Sequence, residues 1–142
     1  ASCLVDMRSI DAESLSRLAD RVDRIVLAAN KGGIVVTSEV LGERPAGVVP
    51  LDSPIIKIAT DALSDLGIQA AFDASSTDAN VPISRGIPAV CIGLTHGGHV
   101  HRVDEYIDTP PIATGLAQLA ILALGLADGV ASGELRPARV VR

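Results

Sequence analysis

Aromatic residues are scarce: among 142 residues there is no tryptophan, one phenylalanine (Phe72) and one tyrosine (Tyr106). The core must therefore be aliphatic, and the aromatic platforms on which unpaired bases stack are absent. Basic residues are also few, since 12 lysines and arginines stand against 17 aspartates and glutamates, for a net charge of -5. Such a chain has no overall positive field to attract a phosphate backbone or an anionic lipid surface. We therefore expect no nucleic-acid partner.

Only two cysteines are present, Cys3 and Cys91, and they match no Cys-x-x-Cys spacing of a metal or redox site. One disulfide between them is an alternative, but reduced thiols in a cytoplasmic protein are the expectation. No basic segment followed by an apolar stretch opens the chain, so the sequence predicts no secretory signal and leaves export open. The chain begins at Ala1 rather than at methionine, and we expect further polypeptide upstream.

The composition excludes disorder and low-complexity arrays, because 48% of the residues are hydrophobic and only 20% are charged. A globular chain of this length forms one domain or two small lobes. The first part of the chain predicts a strand, a helix and a second strand. The strands correspond to an apolar run at 3–8 and a β-branched run at 34–41, and the amphipathic helix between them begins after Asp11 and stops at the segment 30–33. Two glycines and two prolines in the segment 42–52 indicate a connection to a second part.

The second part opens with a predicted helix over residues 54–66, with Ser53 as its N-cap. Short apolar runs at 68–72 and 88–94 are typical of strands that helices cover on both faces. Between these runs lie a polar loop and one short helical turn that ends at Gly86. The second part is therefore expected to be a helix-covered sheet.

A long apolar helix is predicted from residue 112 to about residue 127. The stretch carries no charge, but it is shorter than the ~20 residues that a membrane span needs, and it contains the polar residues Thr114 and Gln118. We interpret it as a core helix and expect no membrane partner.

Three histidines and three carboxylates are concentrated in one loop after the second apolar run. They are His96, His99 and His101, followed by Asp104, Glu105 and Asp108. Imidazole and carboxylate are the ligands of zinc in hydrolytic sites, and open sheets place their ligand sites beyond the strand ends. A solvated polar loop with local hydrogen bonds explains the same composition equally well.

The order of these elements resembles the C-terminal end of a known family. The chain is similar here to the co-catalytic zinc exopeptidases and amidohydrolases. The similarity consists of an apolar run, then the pattern His-Gly-Gly-x-x-His-x-x-x-Glu-Tyr-Ile, then a long apolar helix. This family includes peptidase T, glutamate carboxypeptidase, succinyl-diaminopimelate desuccinylase and the aminoacylases. The resemblance implies that His101 is a metal ligand, with Glu105 at the expected spacing. It gives no role to His96 or His99.

Two further segments match the family. Ser75-Ser76-Thr77-Asp78 is similar to its Gly-Gly-Thr-Asp loop beside the substrate, with serines in place of both glycines, so Thr77 and Asp78 are expected to contact substrate. Local chemistry alone favours a helix-capping role for Asp78 at least as well. The segment 42–46 is similar to Gly-x-Arg-Pro-Ala, in which Arg44 would clamp a substrate carboxylate. The alternative for Arg44 is an exposed hinge arginine.

The fold class that the resemblance implies is α/β. Residues 1–43 would be part of a smaller α+β lid domain, residues 44–52 a hinge, and residues 53–142 the C-terminal part of a catalytic domain with a helix-covered mixed sheet. The complete enzyme would bind two zinc ions. The sequence contains no His-x-Asp pair or adjacent Glu-Glu for the remaining ligands and the general base, so we assign no catalytic residue to this chain.

The resemblance therefore predicts the C-terminal portion of a cytoplasmic zinc metallopeptidase, inactive as this chain alone, that acts on small peptides or N-acyl amino acids. Members of the family often dimerise through the lid, so a homodimer is a further expectation. The main alternative is a non-catalytic ligand-binding or dimerisation module. A serine hydrolase that uses Ser75 or Ser76 with a loop histidine and Asp108 is less favoured, because no Gly-x-Ser-x-Gly elbow is present.

Overall fold

The computed structural model describes residues 1–136, and 40% of the structure is helical. The elements in chain order are α1 (Ala12–Ala29), α2 (Pro54–Ser64), α3 (Asn80–Ser84), β1 (Gly97–Gly98), β2 (Tyr106–Ile107) and α4 (Ile112–Ser132). These residues form two compact units. Unit 1 combines Ala1–Val48 with Ala74–Gly86, and unit 2 combines Val49–Asp73 with the described residues from Ile87 onward. The division into lid, hinge and catalytic part at residues 43 and 52 stays a prediction.

Helix α1 in unit 1 begins where the sequence predicts. The Asp11 side chain accepts a hydrogen bond of 2.8 Å from the backbone N–H of Ser14, which confirms Asp11 as the N-cap. Hydrogen bonding by Ser14, through its side chain and then its backbone, lowers the pKa of the Asp11 carboxyl. At the other end the Asn30 side chain accepts from the Val36 N–H at 2.9 Å and donates to the Val26 carbonyl, also at 2.9 Å. No residue of α1 is buried.

The core of unit 2 lies between α2 and α4. Its buried hydrophobic residues are Ile55, Ile56, Ala59, Ala62, Leu122 and Leu135. Two glycines of α4, Gly125 and Gly129, allow this packing, because a Cβ atom would lie 2.8 Å and 3.1 Å respectively from atoms of the Ile58 side chain. The predicted helix over 54–66 is confirmed as far as Ser64. It ends in a turn at Gly67, whose φ of 69° is in the left-handed region that glycine tolerates.

Helix α4 extends five residues beyond the predicted end at 127, to Ser132. Asp128 is exposed, so its charge does not interrupt the helix; the left-handed Gly133, with φ of 83°, ends it instead. By length and composition α4 is the one helix among residues 1–136 that could cross a membrane. One face packs against α2, whereas the side chains of Leu116 and Leu124 are exposed.

The predicted strands at 3–8, 34–41, 68–72 and 88–94 are wrong for the described structure, whose one sheet is the two-stranded antiparallel pair of β1 and β2. A strand needs a neighbour that takes its backbone hydrogen bonds, and no two of these runs pair within residues 1–136. Three runs face water instead, which can satisfy their peptide groups; Val35, for example, is 82% exposed.

The run 88–94 differs from the other three because its side chains alternate in burial. Val90, Ile92 and Leu94 are half-buried, and Val90 and Ile92 pack on the core between α2 and α4, while Cys91 and Gly93 are exposed. Helices therefore cover one face of this run rather than both. The prediction of burial on both faces is therefore wrong for this run, and the helix-covered mixed sheet does not form among the described residues.

Candidate functional site

A short β-hairpin in unit 2 carries the histidine-rich loop. Gly97 of β1 is opposite Ile107 of β2, and Gly98 is opposite Tyr106. The Asp108 N–H donates to the His96 carbonyl at 2.8 Å and extends the pairing by one step. Both glycines are needed here, because a Cβ at position 97 would lie 2.7 Å from the Tyr106 carbonyl oxygen, and one at position 98 would lie 2.8–2.9 Å from the Tyr106 ring.

Two histidines in the loop have left-handed backbone conformations, with φ of 58° for His99 and 65° for His101. This region is costly for residues with a Cβ atom, although histidine, asparagine and aspartate are enriched in it. The loop is closed by the Arg102 N–H, which donates to the His99 carbonyl at 3.0 Å, and by the Glu105 N–H, which donates to the Arg102 carbonyl at 3.1 Å. The Glu105 carboxylate also accepts from the backbone N–H of His101 at 3.2 Å.

The His99 imidazole has the most contacts of the three histidine rings. Its Nδ1 lies 2.8 Å from Oδ2 of Asp104. The Arg102 guanidinium contacts the same carboxylate, with Nε 2.9 Å from Oδ1 and Nη2 donating to Oδ2 at 3.1 Å. The ring also meets the Tyr106 ring edge-to-face, with centroids 5.6 Å apart and planes at 85°. The sequence interpretation missed this cluster, although a carboxylate five residues after a histidine in a short hairpin loop was a usable signal.

The donors in this loop fit a zinc ion in kind, since imidazole nitrogens and carboxylate oxygens are its ligands. Within residues 1–136 no group of three or more histidine, cysteine, aspartate or glutamate side chains is gathered closely enough to hold a metal ion. The carboxylates of Asp104 and Glu105 have partners inside the loop. The metal site that the resemblance implies, with His101 as one ligand, stays a prediction.

The other two motifs meet in unit 1. Arg44 Nη1 donates to the Ser76 hydroxyl at 3.4 Å, across 32 positions of sequence. The Asn80 side chain donates to the Pro45 carbonyl at 3.5 Å. Gly47 lies against α3, where a Cβ would be 2.8 Å from the side chain of Ile83. The segment 42–47 and the serine-rich loop therefore form one exposed patch that contains Arg44, Thr77 and Asp78.

Thr77 and Asn80 organise the loop before α3. The Thr77 hydroxyl accepts from the Ala79 N–H at 3.2 Å, and the Asn80 side chain accepts from the Thr77 N–H at 2.7 Å. The residue before the helix, Ala79, makes no side-chain cap, and Asp78 is exposed. The local capping expected of Asp78 is thus performed by its neighbours.

The structure places the four predicted site residues in two groups: Arg44, Thr77 and Asp78 in unit 1, and His101 in unit 2. The chain matches no family model, no curated protein and no solved structure.

Proposed function

We propose that this chain is the C-terminal portion of a dinuclear-zinc hydrolase that cleaves peptide or N-acyl amide bonds of small substrates. The support from the sequence is the order of three motifs, at Arg44, at Thr77-Asp78 and at His101, with an apolar helix after the last. The observation that carries the proposal is the contact between Arg44 and Ser76. It joins the two segments that the resemblance expects to line the substrate site.

Each residue has a stated role in this proposal. Arg44 binds the carboxylate of the substrate through its planar guanidinium, a geometry that lysine cannot reproduce. Thr77 and Asp78 supply polar contacts beside it. His101 donates one imidazole to the metal centre. Zinc, when bound, lowers the pKa of its water to about 7 and polarises a carbonyl oxygen. No described residue is assigned as the general base, so the chain alone is expected to have no hydrolase activity.

The test is the zinc content of the full-length protein that contains this chain. The wild type is expected to bind two zinc ions per chain and His101→Ala to bind one, with an unchanged circular dichroism spectrum. The matched control is His96→Ala, because only the backbone of His96 is bonded in the hairpin; it is expected to keep both ions. A full-length protein that binds no zinc, or turnover of an N-acyl amino acid by the 142-residue chain alone, would refute the proposal.

A second candidate function, a non-catalytic binding or dimerisation module, is favoured by α1. This helix has an apolar stripe but no buried residue, and Ile25 is 62% exposed. The two candidates differ in their response to Arg44→Lys. In the hydrolase this substitution raises the KM for a substrate with a free carboxylate by about tenfold, the effect of losing one charge-assisted hydrogen bond. In a module that self-associates through α1 it changes nothing, whereas Ile25→Glu abolishes the association.

A further inference from the structure

His99 is the most constrained imidazole of the loop, although the resemblance gives it no role. Three groups fix it: Asp104 at 2.8 Å from Nδ1, the Tyr106 ring edge-to-face at 5.6 Å, and Arg102, which holds the carboxylate of Asp104 from the other side. No comparable contact is made by the His96 and His101 rings within residues 1–136. A solvated loop histidine requires none of these contacts.

The contact with Asp104 sets the orientation of the His99 ring. Its Nδ1 faces a carboxylate oxygen at 2.8 Å, so Nε2 points away from that carboxylate and has no partner among the described residues. An imidazole whose Nδ1 faces a carboxylate and whose Nε2 is free is the usual arrangement of a histidine that binds a metal, since the carboxylate orients the ring.

The backbone adds an independent observation. His99 has a φ of 58°, where glycine or asparagine is accommodated at lower cost. Costly backbone conformations persist where the surrounding structure fixes them, and they are concentrated at functional sites. Here Gly98 leaves the space that the Tyr106 ring occupies, and Tyr106 in turn contacts the His99 ring. The hairpin thus holds the Tyr106 ring against the side chain at position 99.

We infer that His99 is a second metal donor of this loop, which binds a divalent transition-metal ion through Nε2 beside the donor expected at His101. This inference rests on the proposed function for the remaining ligands, because the loop alone does not gather three donor side chains. Asp104 is then a positioning residue. It binds no metal and acts through the orientation of the His99 ring.

The experiment measures zinc binding to the full-length protein by competition with a chelator, and the absorption spectrum of the cobalt-substituted protein. The principal variant is His99→Asn, because asparagine tolerates the left-handed backbone and the hairpin should still fold. We expect it to lose one zinc ion, and to change the cobalt bands that report ligand number. Asp104→Asn should keep both ions but bind one of them about 10–100-fold more weakly. The control His96→Ala should match the wild type in both measurements.

The outcomes distinguish the inference about His99 from the proposed zinc hydrolase on which it rests. If His101→Ala loses an ion while His99→Asn matches His96→Ala, the inference is wrong and the zinc hydrolase stands. If the wild-type protein binds no zinc, both fail. If Asp104→Asn matches the wild type while His99→Asn loses an ion, His99 is a donor and the positioning role of Asp104 is wrong.

Discussion

Substitution of Gly115 by alanine tests the packing of α4 most directly. Gly115 is buried in the first turn of α4, and a Cβ at this position would overlap the carbonyl oxygen of Leu94 and lie 2.6 Å from its carbonyl carbon and 2.7 Å from its Cα. These are backbone atoms, so no side-chain rotation can relieve the overlap, and α4 must move away from the run that Leu94 ends. Overpacking of this kind costs about 1–3 kcal/mol, with backbone contacts at the upper end. The higher helix propensity of alanine relative to glycine offsets about 1 kcal/mol of this cost.

The net expectation for Gly115→Ala is a loss of about 2 kcal/mol in the free energy of unfolding, or roughly 4–8 °C in Tm. Urea and thermal unfolding followed by circular dichroism measure it. Gly125→Ala on the same helix is the control, because its Cβ would meet only a methyl group of Ile58, at 2.8 Å. That methyl belongs to the β-branched side chain of Ile58 in the core between α2 and α4, so the substitution has some cost. Because only a side chain and not backbone must shift, the control should lose clearly less stability than Gly115→Ala. A Gly115→Ala protein as stable as the control would show that α4 does not lie against Leu94.

Three further predictions concern the hairpin and α1. The lowered pKa of Asp11 means that its capping contribution is present at neutral pH and is lost as the pH falls through the lowered pKa of the folded state. Asp11→Asn, an uncharged cap, should therefore make the helicity of α1 less sensitive to acid by circular dichroism, whereas an unchanged acid transition would exclude Asp11 as its source. Gly98→Ala should destabilise the hairpin in urea unfolding, and much less in a Tyr106→Ala background; additive effects would contradict the ring contact. His101→Gly should leave stability unchanged or raise it by up to about 1 kcal/mol, because relief of the left-handed backbone outweighs the entropy of glycine; a clear loss of stability would mean that the His101 ring packs in the fold.

The helices were predictable because their signals are local. Asp11 caps α1 and Pro54 begins α2, and both effects act within one turn of the chain. The strands were not, since strand composition shows only that a run suits a sheet and not that a partner is present. The run 34–41 illustrates this: its β-branched residues favour a strand, yet no neighbour pairs with it in the described structure. The end of α4 was predicted five residues too early, at about 127, where the uncharged stretch ends, whereas the left-handed glycine at 133 ends the helix.

The candidate site was predictable only in part, for a related reason. Motif spacing singled out Arg44 and Thr77, but their proximity depends on contacts across more than 30 positions, which no local pattern encodes. The role proposed for His99 depends on the ring of Tyr106 and on the carboxylate of Asp104, and the pairing of β1 with β2 brings both to it. Residue types therefore suggest metal chemistry in the loop only as a prediction, whereas the proposal for one particular histidine required the geometry.

The exposed run at 34–41 also affects how the protein should behave on storage. Its first residues, Ile-Val-Val-Thr, are β-branched and uncharged, and Val35 is 82% exposed. Unpaired segments of this composition form cross-β fibrils, and natural proteins commonly place charged residues in or beside such segments, which disfavours aggregation. Glu39 is the only charge within the run. Concentrated solutions should therefore form fibrils with time, and a lysine in place of Val35 should delay them.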